Sequence, residues 1–186
     1  MPGKPILETQ RLILREFVAE DADALARVLS DPEAMRYYPV AFDRKAVEEW
    51  IARNQRRYAM DGHGLWAMDL KASGEMIGDC GITLQEVDGE FLPEIGYHLR
   101  RDMWGRGLAS EAAHTCRDHG FQQLGLEPMI CLIRPENLPS LRVAERIGMK
   151  VWKETTRSGL QQLVYRMQRE EWDALSRPNN PSLRAQ

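Results

Sequence analysis

The chain of 186 residues is short of cysteine, of long apolar runs and of excess charge, and each shortage removes a class of protein. Its three cysteines, Cys80, Cys116 and Cys131, are scattered and odd in number, so no disulfide framework is encoded. That usage implies a reducing, cytoplasmic setting. No run approaches the ~20 apolar residues of a membrane span, and the opening MPGKPILETQRL has no apolar leader core. No membrane association is expected. A net charge of −3 supplies no global positive field, which argues against nucleic acid as a partner. Any anionic ligand must then be held by local groups. Metal-ligand spacing is also missing: Cys116 and His119 share a helical face, but His114 lies off it and no second pair follows. No metal is expected, and Cys116 lacks an identifiable base that would make it a nucleophile.

What is present is the composition of a soluble globular protein, 43% hydrophobic and 28% charged. The length suits one domain, residues 1–175, followed by a flexible tail at 176–186 around Pro178 and Pro181. Arg11 to Phe17 alternates apolar and charged residues as a half-buried strand does. Asp21 to Leu29 and Asp43 to Tyr58 have helical periodicity, with Asp43 as an N-cap. On the second helix Arg53, Arg56 and Arg57 are expected to form a solvated face. Leu65 to Leu70, Met76 to Leu84 and Leu92 to Leu99 are strands joined by turns at Ser73-Gly74 and Asp88-Gly89, an antiparallel meander. After a helix from Leu108 to Phe121, the almost wholly apolar Met129 to Arg134 suggests a strand buried on both faces, parallel to its predecessor. A short helix from Pro139 to Ile147 stops at Gly148, strands Lys150 to Thr156 and Leu160 to Gln168 follow, and Arg169 to Leu175 forms a final helical turn.

The most informative stretch is RRDMWGRGLASEA, Arg100 to Ala112, where a glycine-bearing turn opens a helix directly after a strand. Gly105 and Gly107 allow left-handed dihedrals and close backbone approach to a ligand. The first N–H groups of a helix have no internal partners and lie at its positive end, so an anion satisfies them. Arg100, Arg101 and Arg106 add positive charge. A dinucleotide-binding oxidoreductase fits poorly, because Ser110 stands where the third small residue of that fingerprint belongs and the next strand ends in Arg134 rather than an acid.

The segment Trp104-Gly105-Arg106-Gly107-Leu108-Ala109 is similar to the coenzyme A pyrophosphate loop of the GNAT N-acetyltransferases, (Gln/Arg)-x-x-Gly-x-(Gly/Ala), with Trp104 in place of the usual Gln or Arg. LETQRLILRE at Leu7 to Glu16, EIGYHL at Glu94 to Leu99 and IRPENLPSLRVAERIGM at Ile133 to Met149 resemble blocks of the RimJ/RimL branch. Together the blocks span roughly residues 7–168 in the family's order. The resemblance implies an α/β (α+β) GNAT fold: a mixed twisted sheet of about seven strands, the fourth and fifth splayed, with four flanking helices. It implies acetyl-CoA as acetyl donor, its pyrophosphate on residues 104–109 with Ser110 helping, and its pantetheine arm along Tyr97, His98 and Leu99. Splayed strands leave backbone groups unpaired, and a pseudo-peptide pairs with them as an added strand.

Several residues carry two readings. Asn137 is an N-cap for Ser140 or, as the resemblance implies, a pantetheine ligand. Ser140 is a first-turn serine or a hydrogen-bond donor to the departing sulfur, the latter made more important by Ala144, where many GNAT enzymes carry a Tyr. Glu94 is an exposed strand-edge carboxylate or the base that takes the amine's proton. Glu111 in the next helix favours a structural role with the dipole. His98 is a satisfied strand histidine or a group titrating near pH 7. The implied activity is transfer of an acetyl group to a primary amine in a ternary complex. An α-amine (pKa ~8) is about ten per cent neutral at pH 7 and a lysine amine (~10.4) under about 0.1%, which favours a peptide or protein N-terminus. A small-molecule amine and a non-catalytic acyl-CoA sensor are the alternatives, and a homodimer is compatible with the sequence.

Overall fold

The structure, a computed structural model, describes residues 3–176. Its elements run β1 (Pro5–Glu8), β2 (Leu12–Arg15), α1 (Ala22–Leu29), α2 (Arg44–Met60), β3 (Leu65–Leu70), β4 (Met76–Val87) and β5 (Glu90–Leu99). There follow α3 (Leu108–Gln122), β6 (Met129–Ile133), α4 (Leu138–Arg146), β7 (Lys150–Arg157), β8 (Leu160–Met167) and α5 (Arg169–Ser176). The expected tail lies, from residue 177 on, outside the described residues.

All eight strands among the described residues join one sheet in the order β1-β2-β3-β4-β5-β6-β8-β7. The sheet has eight strands rather than about seven because Pro5–Glu8, too short to show a period, pairs antiparallel with β2 at the edge. Among the described residues there are five α-helices rather than four, because the last turn closes into α5. Trp172 anchors it, stacking on Phe121 at 5.4 Å and donating from Nε1 to Asp118 at 2.8 Å.

The apolar pattern explains the layering. In β3, Leu65 and Ala67 point to a core with α1 and α2, while Trp66 and Met68 point to a second core with α3 and α4. A strand buried on both faces loses its alternation, and the sheet is sandwiched between helix pairs. Arg15 departs from the half-buried pattern expected of its strand: it is buried, held by Asp21 at 2.8 Å and Asp69 at 2.6 Å. Burial without those carboxylates would leave an uncompensated charge.

The β4–β5 hairpin is longer than the apolar runs suggest, turning at Asp88 (φ 52°) and Gly89 (φ 90°). Asp88 then accepts from Thr155 at 2.7 Å and pairs with Lys153 at 2.6 Å, tying the hairpin tip to β7. After β5 the chain crosses through α3 to β6, the parallel neighbour.

Candidate active site

Only Glu94 and Ile130 align between β5 and β6, whereas β5 is paired with β4 along its whole length. Beyond Glu94 the β6-facing edge of β5 therefore has no strand partner. Side chains fill two of its positions: Cys131 Sγ donates to the carbonyl of Ile95 at 3.4 Å and Trp104 Nε1 to that of Leu99 at 2.8 Å. Backbone groups of alternate residues face the same side of a strand, so Tyr97, between those two, presents its N–H and C=O to the gap. His98 turns its backbone to β4 and meets the gap with its ring.

At the mouth of this gap sits the turn into α3. Gly105 (φ 74°) and Gly107 (φ 76°) both occupy the left-handed region that glycine alone takes at little cost. Gly107 is the N-cap residue of α3, and no side chain caps the helix. The amides of Leu108, Ala109 and Ser110 thus remain available to an anion. Arg106 is exposed and turned away from the cavity; its carbonyl accepts from Arg11 Nη1 at 2.8 Å. Glu111 has the structural role its place in the first turn suggested: it accepts from Thr9 Oγ1 (2.5 Å), Arg11 N (2.9 Å) and Arg11 Nε (2.6 Å), pinning β2 to the helix start.

Gap and turn open into one cavity of about 720 Å³. Its lining takes in Glu94, Tyr97, His98, Leu99, Trp104, Gly105, Gly107, Leu108, Ala109, Ser110, Asn137 and Ser140, but not Arg106, nor Arg100 and Arg101, which pair with Asp102 and Asp31 instead. Asn137 Oδ1 caps α4 by accepting from Ser140 N at 3.3 Å, so the capping reading is correct and the amide nitrogen is left over. Ser140 also accepts at its carbonyl from the Tyr97 hydroxyl at 3.0 Å, while its own Oγ has no protein partner among the described residues. Ala144, on the core-facing side of α4, is fully buried and takes no part in the lining.

Glu94 is not a free edge carboxylate. It sits half-buried in an interior strand on the cavity wall. Burial pushes its pKa up to about 7, against the opposing pull of the Arg157 charge and a backbone hydrogen bond from Leu132. Cys116, by contrast, is in the core with its sulfur 3.6 Å from that of Cys80, remote from this chemistry.

Sequence reasoning missed a relay beside Glu94 that is buried at Asp79 and exposed at Tyr38. His98 Nδ1 lies 2.7 Å from Asp79 Oδ1 and Nε2 lies 2.6 Å from the Tyr38 hydroxyl. Trp50 Nε1 donates to the other Asp79 oxygen at 3.0 Å, and its ring meets His98 edge to face. Burial draws the His98 pKa down, but the Asp79 charge and hydrogen bond outweigh it, so the net shift is upward. Both ring nitrogens thus have partners, as the satisfied reading expected, while the upward shift keeps titration near neutral pH open and the ring also lines the cavity. One signal was available: Asp79 is a lone charge inside the apolar run of β4, and such a group must have partners. Arg53 and Arg56 are exposed, as a solvated face requires, but Arg57 is half-buried, and Arg53 and Arg57 both line the cavity.

A helix-start anion cradle beside a parted parallel pair, both opening on a carboxylate with a near-neutral pKa, defines an acyl-coenzyme A-dependent transferase. Residues 11–150 match the acetyltransferase (GNAT) domain, and the chain belongs to that family. It is an N-acetyltransferase with acetyl-CoA as donor, as the resemblance of its loop implied. Among its relatives is the Bacillus subtilis protein YkkB, 41% identical over 150 residues, covering 80% of this chain and 87% of that one. A solved acetyltransferase from Agrobacterium tumefaciens superposes with a TM-score of 0.77 at 32% identity, covering 89% of this chain and 95% of that one. RimL, a ribosomal alpha-N-protein acetyltransferase, superposes with a TM-score of 0.74 over 89% of this chain and 94% of its own. At 16% identity that likeness is one of fold.

Proposed function

We propose that the protein acetylates the α-amino group of a peptide, protein or small molecule in the cytoplasm, by direct attack of the neutral amine within a ternary complex. The observation that carries this is Glu94, a carboxylate on the cavity wall with a pKa of about 7. A base is most effective when its pKa lies near the working pH, because it is then both unprotonated and basic. Glu94 thus suits removal of one proton from an ammonium of pKa ~8, and suits a lysine amine at ~10.4 less well.

Bound acetyl-CoA supplies an activated acetyl group. The amides of residues 108–110 bind its diphosphate, and Tyr97 offers backbone groups to its amide-containing arm. Asn137 holds α4 by its oxygen and has its nitrogen to give to the same arm. Ser140 Oγ, free of protein partners, donates to the sulfur as it departs. A thiol of pKa ~8.5 leaves without full protonation, so a hydrogen bond suffices and no tyrosine at position 144 is required. The fold shared with RimL is consistent with an N-terminal amine as acceptor.

A thiol-release assay with acetyl-CoA and a library of N-terminal peptides and amines tests the proposal, repeated on Glu94→Gln and Ser140→Ala. Turnover of α-amines with loss in Glu94→Gln is expected. Acetylation of lysine side chains or polyamines alone overturns it.

A further inference from the structure

Seven of the cavity's lining residues are arginines, yet Glu94 is its one carboxylate among the described residues, in a chain whose net charge is −3. Two of the seven are neutralised locally, Arg36 by Glu33 and Arg134 by Glu136. Arg142 and Arg146 belong to α4, the helix that Asn137 caps and Ser140 begins. The remaining three, Arg53, Arg57 and Arg157, form no ion pair among the described residues; the charges of Arg57 and Arg157 are felt at Glu94, and Arg53, exposed on the cavity rim, is felt at Arg57.

Their placement is fixed by contacts. Arg157 Nη2 donates to Gln85 Oε1 at 2.9 Å, Gln85 Nε2 donates to Thr83 Oγ1 at 3.2 Å, and Thr83 is the cross-strand partner of Glu94. Arg53 lies over the Trp50 ring at 5.2 Å from its centroid, beside the Asp79–His98 pair. Burial, and then the charge of Arg53, lower the Arg57 pKa, so the two guanidinium groups repel within one wall. Two atoms of lining residues are buried without a hydrogen-bond partner, Arg134 Nε and Gln162 Oε1, and of these Gln162 Oε1 is the acceptor. Grouping like charges around one buried acid is unfavourable unless an anion joins them, and an orphaned amide oxygen calls for an N–H donor.

From this we infer that the acceptor is an α-amine carrying a carboxylate, the carboxylate being held by Arg53, Arg57 and Arg157 while Gln162 accepts an N–H of the same molecule. This names the substrate class for the activity proposed above and rests on it. Guanidinium groups suit carboxylates because their donors match both oxygens. Two sources share that chemistry: the α-carboxylate of a free amino acid, and the side chain of Asp or Glu at the start of a peptide.

Matched acceptor pairs distinguish them in the thiol-release assay, with rates referred to the concentration of neutral amine. One arm compares free amino acids with their amides. The other compares C-terminally amidated peptides beginning with Asp or Glu against those beginning with Asn or Gln. The carboxylate member of one arm should have a kcat/KM higher by about tenfold or more, as for a charge-assisted hydrogen bond. That ratio should collapse to below about twofold in Arg57→Gln and Arg157→Gln. Since those variants risk misfolding, calorimetry on the wild-type protein loaded with coenzyme A gives an independent reading: the carboxylated N-acetyl product should bind about tenfold tighter than its amide. Equal rates and equal affinities within both arms overturn the inference while leaving acetyl transfer intact. Coenzyme binding without thiol release from any amine defeats the proposed function and this inference with it.

Discussion

The two ends of the cavity are made of different material. Around Gly105 to Ser110 the ligand-facing groups are main-chain amides, set by two left-handed glycines and the start of α3. Around Glu94 they are side chains drawn from α2, β4, β5, β8 and the tip of the β7–β8 hairpin. The first end is local, since a few adjacent residues dictate their own dihedrals. The second exists only after distant strands have paired, and its electrostatics follow from burial rather than composition.

If the coenzyme end is truly backbone-built, side-chain deletions there should matter less than a change of backbone geometry. Gly107→Val forces a branched residue to φ 76° at the helix entrance, where strain is of the order of 1–3 kcal/mol. Calorimetry should show coenzyme A affinity reduced by about 100-fold or more, through displaced amides. Arg106→Ala, at an exposed residue outside the lining, should change that affinity by less than about twofold.

The acceptor end should respond to chemistry instead. Glu94→Gln is expected to reduce kcat/KM by about 10²–10⁴, the range of a general base. In the wild type, kcat/KM should fall as pH drops below about 7, because the base becomes protonated, and the variant should lose that limb. The same shift has a cost in stability. Glu94 holds its proton in the folded chain up to about pH 7 but releases it near 4.5 when unfolded, so stability declines as pH rises across that window. Glu94→Gln should therefore melt higher than wild type at pH 8, which thermal unfolding would show.

Smaller effects sharpen the boundary between the two ends. Asn137→Asp keeps the capping oxygen and removes the amide N–H groups. Its melting temperature should stay within about 2 °C of wild type, while KM for acetyl-CoA rises roughly fivefold, the worth of one hydrogen bond. Ser140→Ala should lower kcat by about fivefold with KM unchanged, and a greater fall for a donor with a poorer thiolate leaving group would confirm contact with the sulfur.

What could be read in the sequence follows the same division. The turn at Gly105 to Ala109, the cap at Asp43 and the cap at Asn137 were legible because each is a short-range agreement between residue type and dihedral angle. Met129 to Arg134 betrayed a parallel, doubly covered strand by its lack of polar residues. Pro5–Glu8 gave no signal, being four residues on an exposed edge. β4 runs on to Val87 and β5 starts early at Glu90 because Val87 and Leu92 pack with Ile130 and Val164, a satellite core no local pattern announces. The pairing of His98 with Asp79 and Tyr38 spans 19 and 60 residues, beyond the reach of periodicity. Arg57 reads as surface until the sheet brings Glu94 near it, half-burying a charge that the helix pattern alone leaves in solvent.

The single aligned pair between β5 and β6, with the Asp88 tether to Thr155 and Lys153 at the hairpin tip, makes the sheet behave like a clothes-peg. Its spring lies at Asp88 and Glu94, its jaws at Leu99 and Arg134. Fastened at one end and unpaired beyond Glu94, the seam is open on the side of the glycine turn that starts α3.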